Sequence, residues 1–216
     1  MAKPKGIPIV VLGMHRSGTS VVASILNRIG ISMGEEFLDP DEFNQNGYFE
    51  DKDFLWINKG IFENANGIWY APPSIPEIKK GGEKFEEAIH KTISAKRKKA
   101  GLNSWGWKDP RNCLTCWNYY PEILDARFIV VVRRIVDIKR SLNATHGHLA
   151  DWTEVIDAYY DSVATFLEIN SNLSLLISFE ELVYEKYSKN TILRILDFVD
   201  KPDRMVDKAL SIIRFR

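Results

Sequence analysis

The chain has 216 residues, 45% of them hydrophobic, which is ample for one packed core, so a single domain spanning 1–216 is expected. Lys plus Arg balance Asp plus Glu at 29 each. No global field therefore draws the chain to nucleic acid or to a membrane surface, and any anion site must be built locally. Two cysteines, Cys113 and Cys116, exclude a disulfide framework. No second Cys/His pair with ligand spacing accompanies them, so they read as buried thiols on a helix, and no metal site is expected. Nowhere do some 18 apolar residues run together, which argues against a membrane span. The stretch Met1–Gly6 is short and basic, and the apolar run after it is too short for an export signal. A cytoplasmic location is the expectation.

The β-branched run Ile7–Leu12 predicts a strand buried on both faces. A small-residue turn, Gly13–Gly18, leads into a helical pattern over Thr19–Ile29 (Val22, Ile25, Leu26, Ile29), with Gly30 as its stop. Residues 31–50 show no clean periodicity and read as a long functional loop. A helix is predicted over Asp51–Asn64, then a Trp- and Pro-containing loop through Pro76. A further helix follows over Lys84–Lys99, closed by Gly101. Strands are predicted at Ser104–Lys108, Arg127–Val132 and Leu173–Ser178. Helices are predicted at Asn112–Leu124, Val136–Asn143, Trp152–Asn170, Ser188–Val199 and Asp203–Ile213. Asp151 and Glu154 form a capping-box pattern at the start of the longest of these. Strands alternating with helices mean an α/β domain with a mostly parallel sheet flanked by helices.

The segment Gly13-Met14-His15-Arg16-Ser17-Gly18-Thr19-Ser20 sits between a strand and a helix, where backbone N–H groups and the helix dipole converge on an anion. A nucleotide P-loop reads G-x-x-x-x-G-K-[ST]. Here both glycines are correctly spaced and Ser20 stands where the hydroxyl belongs, but Thr19 occupies the lysine position and the cation is Arg16. An ordinary P-loop kinase, the nearest alternative, lacks that lysine and so part of its Mg²⁺ and phosphate logic. A catalytically silent nucleotide-binding protein is the other alternative.

The loop resembles the 5′-phosphosulfate-binding loop of the sulfotransferases that use 3′-phosphoadenosine-5′-phosphosulfate (PAPS), in its bacterial [RK]-S-G-T-[ST] form. The resemblance implies a P-loop NTPase-like fold and PAPS as donor, with adenosine 3′,5′-bisphosphate as product. It also implies donor contacts by His15, Arg16, Ser17, Gly18, Thr19 and Ser20. Arg133 at a strand end and Ser141 eight residues on resemble the family's 3′-phosphate motif, a guanidinium fork with a hydroxyl. Three weaker matches are Lys108-Asp109-Pro110-Arg111, Phe179-Glu180-Glu181-Leu182 and the Asn46–Glu50 stretch. The second of these implies Phe179 beside the adenine. The late G-x-W-K segment of the aryl-type enzymes is missing, and Arg214 and Arg216 are the residues that could substitute.

Sulfuryl transfer needs positioning, charge neutralisation and removal of one proton. Arg16 and Lys108 are the expected stabilisers of the leaving oxygen. The K-T-H histidine of the aryl-type enzymes has no counterpart here, and the resemblance to glycan-type enzymes offers Glu50 as general base, with Asp109 second. Glu50 could equally be an acidic cap on the helix that follows. The acceptor would be a hydroxyl or an amine, glycan-like by the same resemblance. Tyr48, Phe49, Phe54, Trp56, Trp69, Tyr70 and Trp152 are available to stack on it or to fill the core.

Overall fold

The computed structural model describes residues 6–39 and 47–215. Strands β1 (Pro8–Leu12), β2 (Trp105–Lys108), β3 (Arg127–Val132) and β4 (Ser174–Ser178) form one sheet in the order β2-β1-β3-β4, with every neighbouring pair parallel. The strands alternate with helices α1 (Thr19–Arg28), α2 (Lys52–Asn64), α3 (Ile75–Gly82), α4 (Glu86–Ala100), α5 (Asn112–Tyr119), α6 (Ile135–His146), α7 (Trp152–Asn170), α8 (Phe179–Val183), α9 (Glu185–Phe198) and α10 (Val206–Leu210). The protein is thus α/β with a parallel sheet, as the pattern predicts. Among the described residues no helix is long and apolar enough to cross a membrane.

The continuous apolar strands are explained by what covers them. Val10, Leu12, Phe128 and Val130 face one side, where α2 to α7 supply residues such as Phe54, Ile61, Ile93, Leu142 and Phe166. Ile9, Val11, Ile129 and Val131 face the other, against Val22, Ile25 and Leu26 of α1, Ile192 and Ile195 of α9 and Ala209 of α10. A strand with successive side chains in two different cores has no polar position to spare.

The sequence expectation of a loop through Pro76 is wrong. Ile75–Gly82 is helical, opened by a reciprocal capping box between Ser74 and Glu77 with Pro76 in the first turn. The helix is too short for its periodicity to stand out, but its start signal was in the sequence. Other boundaries move by a few residues. The helix predicted to reach Leu124 leaves α geometry after Tyr119 and continues as a 3₁₀ turn, Tyr120–Glu122, at Pro121. Phe179–Val183 forms a separate short helix, and the last predicted helix is reduced to a 3₁₀ turn and α10. Asp151 caps α7 by accepting from the Thr153 N–H.

Candidate active site

The turns after β1, β2, β3 and β4 open at the same, C-terminal edge of the sheet. Chain order reverses there, since β1 lies between β2 and β3. A cleft of about 360 Å³ occupies that edge and takes residues from all four turns. Arg16, Gly18 and Thr19 come from the first, Lys108 and Arg111 from the second, Arg133 from the third and Phe179 from the fourth.

The β1–α1 loop is held in a shape few sequences tolerate. Gly18 caps α1 at φ 98°, and a β-carbon there would lie 2.2 Å from the Phe179 ring. Only glycine fits both the angle and the contact. Arg16 has φ 67°, a left-handed conformation that costs a non-glycine residue about 1–2 kcal/mol. Its carbonyl accepts a hydrogen bond from Arg133 Nη1 at 2.8 Å, and its own Nε donates to Ser141 Oγ at 2.8 Å. The Arg133 guanidinium also stacks over Phe179, 4.8 Å from the ring centroid. The two motifs read separately from the sequence, around Arg16 and around Arg133 and Ser141, are therefore one physical unit.

Ser17 is fully buried, and its Oγ has no hydrogen-bond partner among the described residues. A buried hydroxyl left without a partner is costly, and Ser17 itself is not among the residues that line the cleft. Ser20 Oγ donates to the Tyr48 carbonyl, fixing the far side of the cleft to α1. The Gly13 N–H donates to Cys113 Sγ at 3.1 Å, so the start of the loop is tied to α5. Cys113 and Cys116 are both buried there, and burial pushes the Cys113 thiol up to about 12, so it remains a thiol.

Glu50 and Lys108 are paired in the wall of the cleft. Lys108 Nζ donates to Glu50 Oε1 at 2.8 Å, with the two side chains 1% and 6% exposed. Glu50 is not the cap of α2, since Asp51 fills that role and accepts from the Asp53 N–H. Asp51 also accepts from Glu35 N–H and Lys96 Nζ. The backbone beside Glu50 is clamped as well: Leu38 N–H donates to the Glu50 carbonyl and Lys52 N–H to that of Glu36. Asn46, the first residue of this segment's resemblance, lies outside the described residues.

Asp109 is buried and already accepts three hydrogen bonds. Its Oδ1 accepts from the Arg111 backbone N–H and from Arg111 Nη1 at 2.8 Å, and its Oδ2 accepts from Asn58 Nδ2 at 3.0 Å. Desolvation by burial opposes the charge on Arg111, but Asp109 and Glu50 outweigh it and raise the guanidinium's pKa. Asn58 is the hub behind this pair. It donates to Asp109 and Asn112 and accepts from the Thr115 and Tyr119 hydroxyls. Sequence reading missed it, because an asparagine in a helix interior carries no local signal. Asn58→Ala strips donors or acceptors from several fully buried groups. It is expected to cost about 2–4 kcal/mol of stability, read by urea unfolding, and to loosen Arg111 in the cleft.

Of the aromatic residues offered by the sequence, Tyr48 and Trp69 line the cleft. Phe54 stacks on Trp107 in the core, and Trp152 is buried against Trp69. His15 and His146 also reach the cleft. Arg214 borders a different cavity beside Ser20, Ser24 and Phe49, and Arg216 lies outside the described residues.

No protein-family model matches the chain, and no curated protein matches it by sequence. Solved structures do match by shape. The sulfotransferase domain of the Synechococcus PCC 7002 olefin synthase superposes with a TM-score of 0.58 at 14% identity, covering 99% of this chain and 79% of that one. Sulfotransferase STF1 from Mycobacterium tuberculosis H37Rv gives 0.53 at 11% identity, covering 97% of this chain and 71% of that one. The chain accordingly shares the fold of these two bacterial sulfotransferases.

Proposed function

We propose that the protein is a PAPS-dependent sulfotransferase acting on a hydroxyl or amine of an acceptor, glycan-like by the resemblance at Glu50. The observation that carries the reading is the joined Arg16–Ser141–Arg133 unit, with the orphaned Ser17 hydroxyl behind it and Lys108 across the cleft. Ser17, Gly18, Thr19 and Ser20 sit at or in the first turn of α1, whose amides favour an anion. In this reading they hold the 5′-phosphosulfate together with Arg16. Arg133 and Ser141 hold the 3′-phosphate, and Phe179 flanks the adenine.

The donor supplies a sulfuryl group already bonded to a good leaving oxygen. Glu50 takes the acceptor's proton as the acceptor's oxygen or nitrogen bonds to sulfur. Lys108 and Arg16 neutralise the charge that develops on the phosphate oxygen as the old S–O bond breaks. Arg111, braced by Asp109, adds a fixed positive charge to the same cleft. Thr19 in place of the P-loop lysine separates this arrangement from a kinase site.

Calorimetric titration tests the reading. Adenosine 3′,5′-bisphosphate is expected to bind at micromolar level without metal, at least about tenfold tighter than ADP with Mg²⁺. The reverse preference puts the kinase alternative first, and binding of neither nucleotide removes the donor site.

A further inference from the structure

His15 belongs to the anion loop by sequence, yet its ring is packed among aromatic side chains. Its centroid lies 4.5 Å from that of Trp69 at 39°, and 5.8 Å from that of Tyr159 in an edge-on arrangement. Nε2 is closed to solvent and has no hydrogen-bond partner among the described residues. Trp69 is fixed in turn. Trp152 stacks parallel to it at 5.8 Å, His146 meets it edge-on at 5.1 Å, and its carbonyl accepts from the Tyr159 hydroxyl at 3.0 Å. His15, Trp69 and His146 all line the cleft that also holds Glu50 and Lys108.

We propose that His15 and Trp69 form the acceptor subsite: Trp69 is the platform for a ring, and the His15 imidazole positions the acceptor group borne by that ring. The inference rests on the sulfotransferase reading above and places the acceptor group of that reading on a ring. An indole pinned on several sides, half-buried and open to a cleft, offers a flat apolar surface at little ordering cost. The imidazole is held neutral. Burial lowers its pKa well below the usual histidine range, and the nearby Arg111, Lys108, His146 and Arg16 charges push in the same direction. In a neutral ring each nitrogen either donates or accepts, depending on the tautomer. A hydroxyl or a neutral amine satisfies both cases because each can do either. A protonated amine could pair only with the accepting form, and an anion only with the donating one. His15 thus acts as a positioning residue for the acceptor, not as a donor ligand, and the proton still leaves to Glu50.

The test uses the whole chain saturated with adenosine 3′,5′-bisphosphate and two ring alcohols, 2-naphthol for a planar ring and methyl β-D-glucopyranoside for a sugar, titrated by calorimetry. One of them is expected to bind saturably, and which one tells the ring type. His15→Leu and Trp69→Leu are each expected to weaken that probe about tenfold or more while the bisphosphate Kd changes less than about threefold. His15→Gln, which keeps a group able to donate and accept, is expected to stay within about threefold of wild type for both ligands. Should His15→Leu fail to fold, Trp69→Leu and His15→Gln decide the question by the same criteria. Binding of neither probe to the loaded wild type overturns the subsite. So does a His15→Leu variant that loses bisphosphate and keeps the probe, or a Trp69→Leu variant that binds the probe unchanged. A wild type that does not bind the bisphosphate overturns the sulfotransferase reading itself, and this inference with it.

Discussion

Lys108→Met is expected to lower PAPS turnover, measured as bisphosphate release, by about 10²–10³-fold, the usual consequence of removing one group that stabilises developing anionic charge. It is also expected to destabilise the protein. Glu50 and Lys108 are almost wholly buried on each other, and deleting one partner of such a pair leaves the other charge uncompensated, at about 3–5 kcal/mol. The two effects are separable. In the double variant Lys108→Met with Glu50→Gln no charge is stranded, so most of the stability should return, because neutral replacements of a buried pair are often tolerated. Turnover should stay low in the double variant, since it then lacks both the cation and the base. Recovery of turnover along with stability would show the pair to be structural only. Glu50→Gln alone should bind bisphosphate within a few-fold of wild type and lose turnover. Unchanged turnover in that variant removes Glu50 as the base.

Much of this geometry was legible in the sequence because it is local. A buried strand followed by Gly13–Gly18 and a helix fixes where the loop lies, and Arg16 with its hydroxyl neighbours is what points to an anion. The link from Arg16 to Ser141 spans 125 residues, and no spacing rule encodes it. It follows from β3 lying beside β1, which pairs the turns after those strands. Asn58 was opaque for the same reason, and Trp69, although named among the residues available to stack on an acceptor, could not be told apart from the other six. Each acts through partners distant in the chain: Asn58 through Asp109 and Tyr119, Trp69 through Tyr159 and His15. The choice between Glu50 as helix cap and Glu50 as cleft residue could not be made from sequence, because the pattern does not fix the start of α2 to the residue, although Asp51 beside it is by type the better cap. The clamp between residues 36–38 and 50–52 decides it, by fixing the backbone so that Asp51 caps and Glu50 turns to Lys108.

Arg133→Ala is expected to erase the preference for adenosine 3′,5′-bisphosphate over adenosine 5′-phosphate. A charged hydrogen bond to a phosphate typically contributes about 1.5–3 kcal/mol, so the preference should fall by roughly 10–150-fold. The structure gives Arg133 a second task that must be told apart from the first. Its Nη1 supports the Arg16 carbonyl in a left-handed conformation, and its guanidinium rests on Phe179, the same ring that excludes any β-carbon at position 18. If loop support were all that Arg133 does, both nucleotides would weaken by the same factor and their ratio would survive. If it reads the 3′-phosphate, the bisphosphate weakens far more and the two affinities converge. Arg133→Lys sharpens the distinction. An ammonium keeps the charge but lacks the planar fork that can reach a phosphate and the Arg16 carbonyl together. It should retain part of the ratio while lowering affinity for both ligands. An alanine variant that keeps the full preference would mean that the 3′-phosphate is read elsewhere, with Arg214 beside Ser20 and Ser24 the next side chain to replace.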